Sequence, residues 1–454
     1  MASTYLTRTI GTSTLNTKCT FSGWYKRGIL GTYQHIFSVG TSSGAQFRAR
    51  FRDTDVFQVY SYIAGQGEIQ YITNRVFRDT SAWQHILISI DCTQSASNRV
   101  KIYVNGIEET SFDGTTQAEI TSMDVLDSNT FQIGRRAETG GDYFDGSISH
   151  FHFIDGTAYD ASAFGETDAT TGEWKIKTSP SVTYGNNGFF VLKDGNSVTD
   201  QSGNSNNFTV GGGTLTKTED CPSNVFATFN YLAKHGTTTS NQYDFLANGN
   251  TTFYTPSNNN ARKGLFLTSL GATSGKYYCE YKQGGGDKLM TGICNAEIFS
   301  STSAPYDVSN QSAIFYYEAN SEIRYDGGTT YTTGIQGGAD GDIFGFALDL
   351  DNKHWYIHKN GTYFNSGDPT SGSTGTGSII AATSTSAFFN HGEMFFCAGD
   401  FENGDYATSE WNFGNGYFGS TQISSAGTNA SGNGIFEYDV PTGYTALSTK
   451  GLNL

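Results

Sequence analysis

The stretch at 184–230 decides how this chain is divided. It reads YGNNGFFVLKDGNSVTDQSGNSNNFTV at 184–210, GGGTLTKTED at 211–220 and CPSNVFATFN at 221–230. The apolar run Gly188–Leu192 lies between Asn and Gly residues, as a buried strand does. Asp200–Asn207 has turn chemistry, because such side chains bond nearby backbone or tolerate positive φ. Glycines and Pro222 then interrupt any strand, so one β unit is predicted to end here and a second to begin.

The composition favours an all-β protein. The 454 residues suffice for two or three domains. Glycine is abundant at 56 residues, proline is scarce at 6, and Tyr and Phe number 27 and 33. This profile is typical of short antiparallel strands joined by tight turns. No stretch has convincing helical periodicity, and the nearest helix candidate is the short segment Asp160–Gly165.

The charge and hydropathy patterns exclude two classes of partner. The formal net charge is −16 and no basic run is present, so nucleic-acid binding is not expected. The acidic balance predicts solubility and repulsion from polyanions. No apolar run approaches the roughly 20 residues that span a membrane, so membrane insertion is not expected. The N-terminal sequence lacks the apolar segment of a secretory signal.

The cysteines indicate a reducing compartment. Six cysteines are spread over the chain without a CxxC pair or a histidine at zinc spacing. We interpret them as buried, reduced, small apolar residues, with a disulfide framework as the alternative. Together with the lack of a signal, this predicts a protein made and assembled in a cytoplasm.

Alternation of large apolar and smaller polar residues predicts strands through the first part of the chain. Their regular spacing with turn signals between them favours a sandwich or barrel. The predicted strands are Cys19–Tyr25, Gln34–Val39, Ala45–Phe51, Val56–Ile63, Trp83–Ile90, Val100–Val104, Phe131–Gly134 and Gly146–Phe153.

Residues 1–215 resemble the concanavalin A-like (laminin-G-like) jelly roll. The resemblance rests on five motifs in order: FSGWYKR, W-x-H-I-L-I-S-I, VKIYVNG, FQIGR and FDGSISHFHFIDG. Independently, Trp83 begins an apolar strand that suits a sandwich core, and Asn105-Gly106 suits a two-residue hairpin turn.

Residues 245–454 resemble a SPRY-like β-sandwich, and 216–244 is the expected linker. The clearest motif is GDIFGFALDLD at 341–351, followed by HWYIHKNG at 354–361 and WNFGNG at 411–416. The long Gly/Ser/Thr loop Ser366–Ser378 departs from the pattern and is either a contact loop or a floppy one. The fold implied for the whole chain is two antiparallel sandwiches, and SPRY sandwiches do not share one ligand.

The segment 159–230 resembles one found in structural proteins of tailed bacteriophages, especially marine ones. The resemblance implies a virion component, assembled in the host cytoplasm and present in several copies or as a homo-oligomer. Its expected partners are other virion proteins of the capsid or tail. Two roles stay open: a capsid decoration or head-fibre protein, and a tail fibre or tail-associated protein that binds host surface glycans.

An enzyme is the alternative class, because glycoside hydrolases occur on concanavalin A-like folds. Their mechanism needs two carboxyls about 5–5.5 Å apart for retention, and the Glu-x-Asp-x-x-Glu pattern that supplies them is absent. We interpret Asp351 as the start of a turn with Asn352 and Asp349 as part of the SPRY-like pattern, and name no catalytic residue. Two histidine pairs at alternate positions, His150/His152 and His354/His358, are interpreted as ordinary solvated sheet positions. An intracellular SPRY-type interaction scaffold is a further alternative.

One loop is the candidate ligand site. Asp142, Tyr143 and Asp145 follow two glycines and precede a predicted strand. Tyr143 could stack on a sugar ring, so a glycan contact is one hypothesis for it, with a packing or rim residue as the alternative. Clustered carboxylates in such loops can hold Ca²⁺, so Ca²⁺ is a second hypothesis; no other metal and no cofactor is expected.

Overall fold

In the computed structural model the chain divides into two compact units. The first comprises 1–217 with 221–223, and the second comprises 218–220 with 224–454. The structure describes residues 3–42, 44–117, 120–193, 198–236, 245–255, 264–286, 289–300, 312–325, 329–331, 334–380, 388–400 and 407–453.

The described residues of the first unit form two main antiparallel sheets and one small hairpin. The eight-stranded sheet has the order β10-β6-β5-β4-β3-β11-β1-β16, the six-stranded sheet β15-β12-β2-β7-β8-β9, and the hairpin β13-β14. The strands are β1 (Tyr5–Thr9), β2 (Lys18–Arg27), β3 (Gln34–Ser42), β4 (Ala45–Phe51), β5 (Val56–Ile63), β6 (Gly67–Val76), β7 (Gln84–Asp91), β8 (Val100–Val104), β9 (Ile107–Glu108), β10 (Phe112–Gln117), β11 (Thr130–Ile133), β12 (Gly146–Asp155), β13 (Gly165–Thr167), β14 (Trp174–Ile176), β15 (Phe189–Val191) and β16 (Thr209–Gly212).

The core of the first unit lies between its two main sheets and is rich in phenylalanine. Phe21 from the six-stranded sheet stacks on Phe37 from the eight-stranded sheet with ring centroids 4.5 Å apart. Phe47 of β4 lies 5.1 Å from the same ring. These side chains are almost fully buried, so the two sheets are held together by burial of aromatic surface.

The outer surface of the six-stranded sheet is covered by the segment 156–186. Phe164 is buried there against Leu87 and Ile154. His152 is also buried, and its Nδ1 lies 3.0 Å from the Tyr184 hydroxyl. The expectation of solvated His150 and His152 is therefore wrong: both are buried, and a register shift lies between Ser149 and His152.

The described residues of the second unit also form two main antiparallel sheets. Their orders are β17-β20-β29-β22-β23-β24-β25 and β18-β19-β30-β21-β26-β27-β28, with β33 beside β21 and a separate hairpin β31-β32. The strands are β17 (Phe229–Gly236), β18 (Phe245–Ala247), β19 (Thr252–Thr255), β20 (Gly264–Thr268), β21 (Lys276–Gln283), β22 (Leu289–Asn295), β23 (Ala313–Tyr317), β24 (Glu322–Tyr325), β25 (Thr329–Tyr331), β26 (Ile343–Asp349), β27 (His354–Lys359), β28 (Thr362–Tyr363), β29 (Met394–Asp400), β30 (Ala407–Asn412), β31 (Tyr417–Phe418), β32 (Thr421–Gln422) and β33 (Thr445–Ala446).

Trp411 is at the centre of the second core. Its ring lies 4.9 Å from the ring of Tyr281 and 5.4 Å from that of Phe413. Its indole N–H donates to the Ser409 hydroxyl at 2.8 Å, so the polar atom of this buried side chain is satisfied.

The all-β prediction is confirmed, and helical structure among the described residues is confined to short 3₁₀ turns. At the predicted helix candidate, only Ala161–Ala163 forms such a turn, and Asp160 caps it. The turns are Ala96–Asn98, Asp124–Leu126, Ala161–Ala163, Ala296–Ser300, Phe364–Ser366, Gly372–Thr374, Phe388–Asn390 and Gly451–Asn453. Within the described part of the chain, no helix has the length and hydropathy to cross a membrane.

The expected linker 216–244 differs from the structure. β17, which lies inside it, pairs with β20 of the second unit. Residues 237–244 lie outside the described residues. Of the expected linker, the part that remains before β17 is 216–228. A strand forms here because Phe229 is fully buried in the second core.

The cysteines are free, as expected, and all are buried except Cys221, which is half-buried. Burial raises the pKa of Cys19 and of Cys279 well above the usual thiol value. These thiols stay protonated at neutral pH and behave as small apolar side chains.

Candidate functional site

The candidate site lies on the outer face of the eight-stranded sheet. Successive side chains of β4 alternate between the two faces. Phe47, Ala49 and Phe51 are buried in the core, so Arg48 and Arg50 point to the opposite face. We call this surface the arginine face and define it by five residues: Tyr33, Arg48, Arg50, Tyr60 and Arg136.

Tyrosine rings support the two arginines of β4. The guanidinium carbon of Arg48 lies 4.3 Å from the ring centroid of Tyr60, and that of Arg50 lies 4.6 Å from the ring centroid of Tyr33. Arg50 Nε also donates to Gln58 Oε1 at 2.8 Å. Cation–π contacts of this kind contribute about 0.5–1 kcal/mol at exposed sites and more where the pair is shielded from water. The result is a surface of flat guanidinium and aromatic groups.

The loop 134–145 joins β11 to β12 and borders this face. Ser38 of β3 holds it: the Ser38 hydroxyl donates to the carbonyl of Arg135 at 2.9 Å and accepts from the N–H of Ala137 at 2.7 Å. Because Ser38 is directly opposite Arg48 in the sheet, these bonds place the loop beside the arginines. The loop closes on itself, since the Arg136 N–H donates to the Gly141 carbonyl at 2.9 Å.

Two of the three predicted site residues lie at the edge of the arginine face. The Asp142 carbonyl accepts from the N–H of His35 at 2.9 Å, and its carboxylate lies 3.7 Å from His35 Nδ1. The half-buried Tyr143 ring has its centroid 6.3 Å from that of Tyr5. The Tyr5 ring is in turn covered by Arg135, 3.5 Å away. Tyr143 thus belongs to a small group of aromatic and guanidinium surfaces.

Asp145 has a different environment. Its carbonyl accepts from the Gly28 N–H at 2.8 Å. Burial raises the pKa of its carboxyl, because the charged form is desolvated. A buried carboxyl of this kind is poorly suited to bind a ligand or a cation at the surface. Among the described residues, no three or more His, Cys, Asp and Glu side chains are grouped closely enough to hold a metal ion. The Ca²⁺ hypothesis at Asp142 and Asp145 therefore gains no third carboxylate from the described residues.

His35 lies beneath the arginines as a neutral ring. It is fully buried, and neither ring nitrogen has a hydrogen-bond partner. Burial and the charges of Arg50, Arg48 and Arg136 lower its pKa to about 2. Protonation of His35 therefore does not add to the charge of this face at physiological pH.

Only two carboxylates of the bordering loop face this group of arginines. Glu138 contacts Arg136 Nη2 at 2.6 Å and lies 3.8 Å from Arg48 Nη1. Asp142 is the other. Glu68 of β6, which accepts from the Tyr60 hydroxyl, is a third carboxylate at this surface, and Arg52 adds a fourth guanidinium group beside Arg50. The guanidinium groups of Arg48, Arg50, Arg52 and Arg136 therefore exceed these three carboxylates by one. Sequence reasoning missed these arginines, although the alternation Gln46-x-Arg48-x-Arg50 carried the signal.

The second unit contains a buried carboxylate, Glu280. Its Oε2 accepts from the Glu437 N–H and its Oε1 from the Tyr438 N–H, each at 2.8 Å. The Tyr278 hydroxyl donates to Oε1 at 2.9 Å, and Asn412 donates to Oε2 at 3.4 Å. Burial nevertheless raises the pKa of Glu280 to about 7. This carboxyl fastens the C-terminal segment to β21.

His358 extends this network away from solvent. Its Nδ1 accepts from the Gly361 N–H at 3.2 Å, so in the neutral ring Nε2 carries the proton. Nε2 lies 2.6 Å from the Tyr278 hydroxyl and donates to it. Burial lowers the pKa of His358 to about 3. His354 is buried as well, so the expectation of a solvated face at these histidines is wrong: the loop residue Gly375 and the C-terminal segment cover it.

We expect Glu280 to make the stability of the second unit depend on pH. Its folded-state pKa of about 7 exceeds the ordinary value of 4.5, so the folded state binds its proton more tightly. This contribution is fully present below pH 4.5 and is lost as the pH rises to about 7, by about 3 kcal/mol. In Glu280→Gln, urea unfolding should lose that pH-dependent component.

The exposed Glu393 supplies the control, because Glu393→Gln should keep the pH dependence of the natural chain. If Glu280→Gln and the natural chain showed the same change in unfolding free energy between pH 4.5 and 7, the burial effect on this carboxyl would be contradicted.

Two of the three carboxylates of the GDIFGFALDLD motif, Asp349 and Asp351, accept hydrogen bonds from neighbouring turns. Asp349 accepts from the N–H of Asn352 at 2.9 Å and contacts Lys276 Nζ at 2.8 Å. Asp351 accepts from the N–H of Gly275 at 2.7 Å. The interpretation of Asp351 as a turn residue is confirmed, because it lies in the turn that follows β26, whose last residue is Asp349.

The loop Ser366–Ser378 is closed by its own hydrogen bonds. The Asp368 N–H donates to the Thr376 carbonyl at 2.9 Å. Its Ser371 hydroxyl lies 3.4 Å from the hydroxyl of Tyr356, which belongs to β27. The loop therefore covers part of a strand.

Comparison with known proteins supports the β-sandwich interpretation. Residues 2–162 match the family model of the concanavalin A-like lectin/glucanases superfamily, which confirms this interpretation for the first unit. No curated protein matches the chain.

Similar solved structures include SPRY and laminin G domains. The SPRY domain of human HERC1 is 16% identical with a TM-score of 0.29, and the match covers 40% of this chain and 96% of that one. Mouse laminin α1 domains LG4-5 are 9% identical with a TM-score of 0.28, and the match covers 96% and 92%. A Ruminococcus gnavus IT-sialidase CBM40, bound to α2,3 sialyllactose, is 14% identical with a TM-score of 0.27, and the match covers 36% and 96%.

Proposed function

We propose that this chain is a non-catalytic glycan-binding protein of a bacteriophage virion, and that the arginine face is its binding surface. The observation that carries the binding role is the pairing of Tyr33 and Tyr60 with arginines on one sheet face. Aromatic rings offer apolar area at small entropic cost, and the polar groups beside them bond hydroxyls. The concanavalin A-like family model over residues 2–162 supports this class of function.

Polar side chains of neighbouring strands extend the surface. Gln58 Nε2 donates to Gln70 Oε1 at 2.6 Å, and the Tyr60 hydroxyl donates to Glu68 at 3.1 Å. These groups are already held in place by each other, so little side-chain entropy is lost when a ligand binds. Such a surface suits an extended, hydroxyl-rich chain.

We expect Tyr60→Ala to weaken glycan binding about tenfold. The change removes the ring that both offers apolar area and supports Arg48. The measurement is a glycan array with the full chain, followed by equilibrium titration of the strongest ligand. Tyr231→Ala, a half-buried tyrosine of the second unit, is the matched control. Equal affinity of Tyr60→Ala and the natural chain would contradict the placement of the ligand on this face.

The predicted contact at Tyr143 is tested in the same titration. Weaker binding by Tyr143→Ala would extend the surface across the loop 134–145. Unchanged binding would confine the ligand to the strands of the sheet.

The virion role rests on the resemblance of the segment 159–230 to phage structural proteins. Immunogold electron microscopy of the intact particle tests it. Gold on the head would make the chain a decoration or head-fibre protein, and gold at the tail would make it a host-receptor binder. Absence of the chain from purified particles would contradict a virion role while leaving glycan binding open.

The glycan-active hydrolase stays the second candidate, because the matched family model includes glucanases. A reducing-sugar assay with the polysaccharide selected on the array separates the two. Product accumulation that scales with protein concentration would replace the binding role by catalysis.

A further inference from the structure

We propose that the arginine face selects acidic glycans, and that their carboxylate or sulfate groups bind between Arg48 and Arg136, where the protein's own Glu138 now lies. This inference rests on the proposed glycan-binding function and names its ligand class.

The first support is the local charge. The chain carries a formal net charge of −16, yet three guanidinium groups meet on this face. Arg48 and Arg136 are close enough that each opposes the charge of the other: burial and Arg136 both lower the pKa of Arg48. Arg50 is affected similarly, since burial and Arg48 lower its pKa to about 10. Like charges held together in a half-buried place are stabilised by a bound anion.

The second support is the position of Glu138. Its carboxylate lies 2.6 Å from Arg136 Nη2 but 3.8 Å from Arg48 Nη1. The internal carboxylate therefore pairs closely with one arginine and leaves the other only a long contact. Arg48 Nη1 also donates to Gln46 Oε1 at 3.0 Å, whereas Nε of Arg48 and Nε of Arg136, both buried, have no hydrogen-bond partner. The arginines thus have more donor capacity than this single carboxylate uses.

Guanidinium chemistry defines the ligand. Arginine presents its N–H groups as a planar fork that matches the oxygens of a carboxylate or sulfate. The rings of Tyr33 and Tyr60 lie against the same arginines, so a sugar ring attached to the acidic group can lie alongside them. A uronic acid or a sulfated sugar satisfies both requirements, whereas a neutral sugar satisfies only the second.

The loop that carries Glu138 explains how a ligand can take its place. Glu138 is followed by the exposed Thr139 and by Gly140, which has a φ of 69°. The Glu138 side chain is one quarter exposed. Its release requires only rotation of a surface side chain, so the ligand acid competes with an internal acid of equal charge.

Three probes test the inference: dextran, dextran sulfate and polygalacturonate, titrated with the full chain at low and at high salt. We expect both acidic probes to bind at least ten times more tightly than dextran, with affinity falling as salt rises. Arg48→Gln should weaken binding of the acidic probes at least tenfold. Glu138→Gln should strengthen it about threefold or more, because the competing carboxylate is removed.

Arg324→Gln removes an equal charge from the second unit and should leave all affinities unchanged. The gain in Glu138→Gln cannot result from misfolding, so it protects the test against a damaged Arg48 variant. Binding of only one acidic probe would support the inference and identify the acidic group.

Two outcomes would overturn it. Equal binding of dextran and dextran sulfate, unaffected by Arg48→Gln, would show a glycan surface indifferent to charge and would leave the proposed function standing. An equal loss in Arg324→Gln would show general charge attraction. Failure of every glycan, on the array and in titration, would instead contradict the proposed function itself.

Discussion

Asp55→Asn is expected to lower the unfolding free energy of the first unit by about 3–5 kcal/mol. Asp55 Oδ1 lies 3.1 Å from Arg27 Nη2 and accepts from the Gly31 N–H at 2.9 Å. Its Oδ2 lies 3.2 Å from Arg78 Nε. The side chain of Arg27 is only 3% exposed. Removing the carboxylate charge therefore leaves a buried guanidinium without its counter-ion.

Substitution by asparagine removes the charge of Asp55 without straining its backbone. Asp55 has a φ of 64°, a conformation that Asn tolerates almost as well as Asp. The exposed neighbour Asp53 gives the control variant Asp53→Asn. The measurement is thermal unfolding with hydrogen exchange of peptides from residues 1–217; the midpoint should fall by roughly 6–20 °C. A loss below about 1 kcal/mol would mean that the pair behaves like an exposed one.

Asp55 matters for function because it lies in the turn between β4 and β5, the two strands that carry Arg48, Arg50 and Tyr60. The hairpin consists of β4 and β5, with Arg48 directly opposite Tyr60. The buried ion pair anchors the far end of these strands. A variant that loosens this end should weaken glycan binding at temperatures well below its unfolding midpoint.

The strands could be predicted from the sequence wherever alternation was combined with a turn signal. Val100–Val104 and Val56–Ile63 agree with the structure at both ends. The turn after the first of these has φ values of 47° at Asn105 and 81° at Gly106. Both residues tolerate positive φ, so this local sequence determined the local structure.

Long-range cover could not be predicted. Alternation correctly showed which histidines share a strand, but not which distant segment lies over them. His152 is buried by residues near Tyr184, and His354 by the loop near Gly375. The strand β6 at Gly67–Val76 was also missed, although Ile69 and Tyr71, two positions apart, both lie in the core. Burial depends on tertiary neighbours, and a single strand does not specify them.

The residues of the candidate site were singled out only in part, for a related reason. Loop composition pointed to Asp142 and Tyr143 as candidates, whereas Arg48 and Arg50 were obscured by a net charge of −16. Net charge is a sum over the whole chain, so it does not show where positive side chains cluster. Only the fold brings Arg136, from another strand connection, beside the arginines of β4. The repulsion of polyanions expected from the net charge stays a prediction for the chain as a whole, and we expect the arginine face to depart from it.

Phe21→Ala is the second large effect we expect, with a loss of about 3–5 kcal/mol in the unfolding free energy of the first unit. The Phe21 ring stacks on Phe37, Phe153 and Phe47 with centroid separations of 4.5, 4.8 and 5.1 Å. Its side chain joins the two sheets, so alanine leaves a cavity that neither sheet can fill without moving. Urea unfolding of the purified variant measures the loss.

A control variant, Phe21→Leu, tests how much of the loss is due to the cavity that alanine leaves. Phe21→Leu keeps most of the volume, and such swaps usually cost less than about 1.5 kcal/mol. Phe47 precedes Arg48 in β4 and points into the core against Phe21. The cavity in Phe21→Ala should therefore shift β4 and weaken binding at the arginine face. If Phe21→Ala unfolded like the natural chain, the sheets would have to be held by other contacts. If it lost stability but bound glycan with unchanged affinity, the position of β4 would not depend on this core, and the arginine face would be held by its own strands alone.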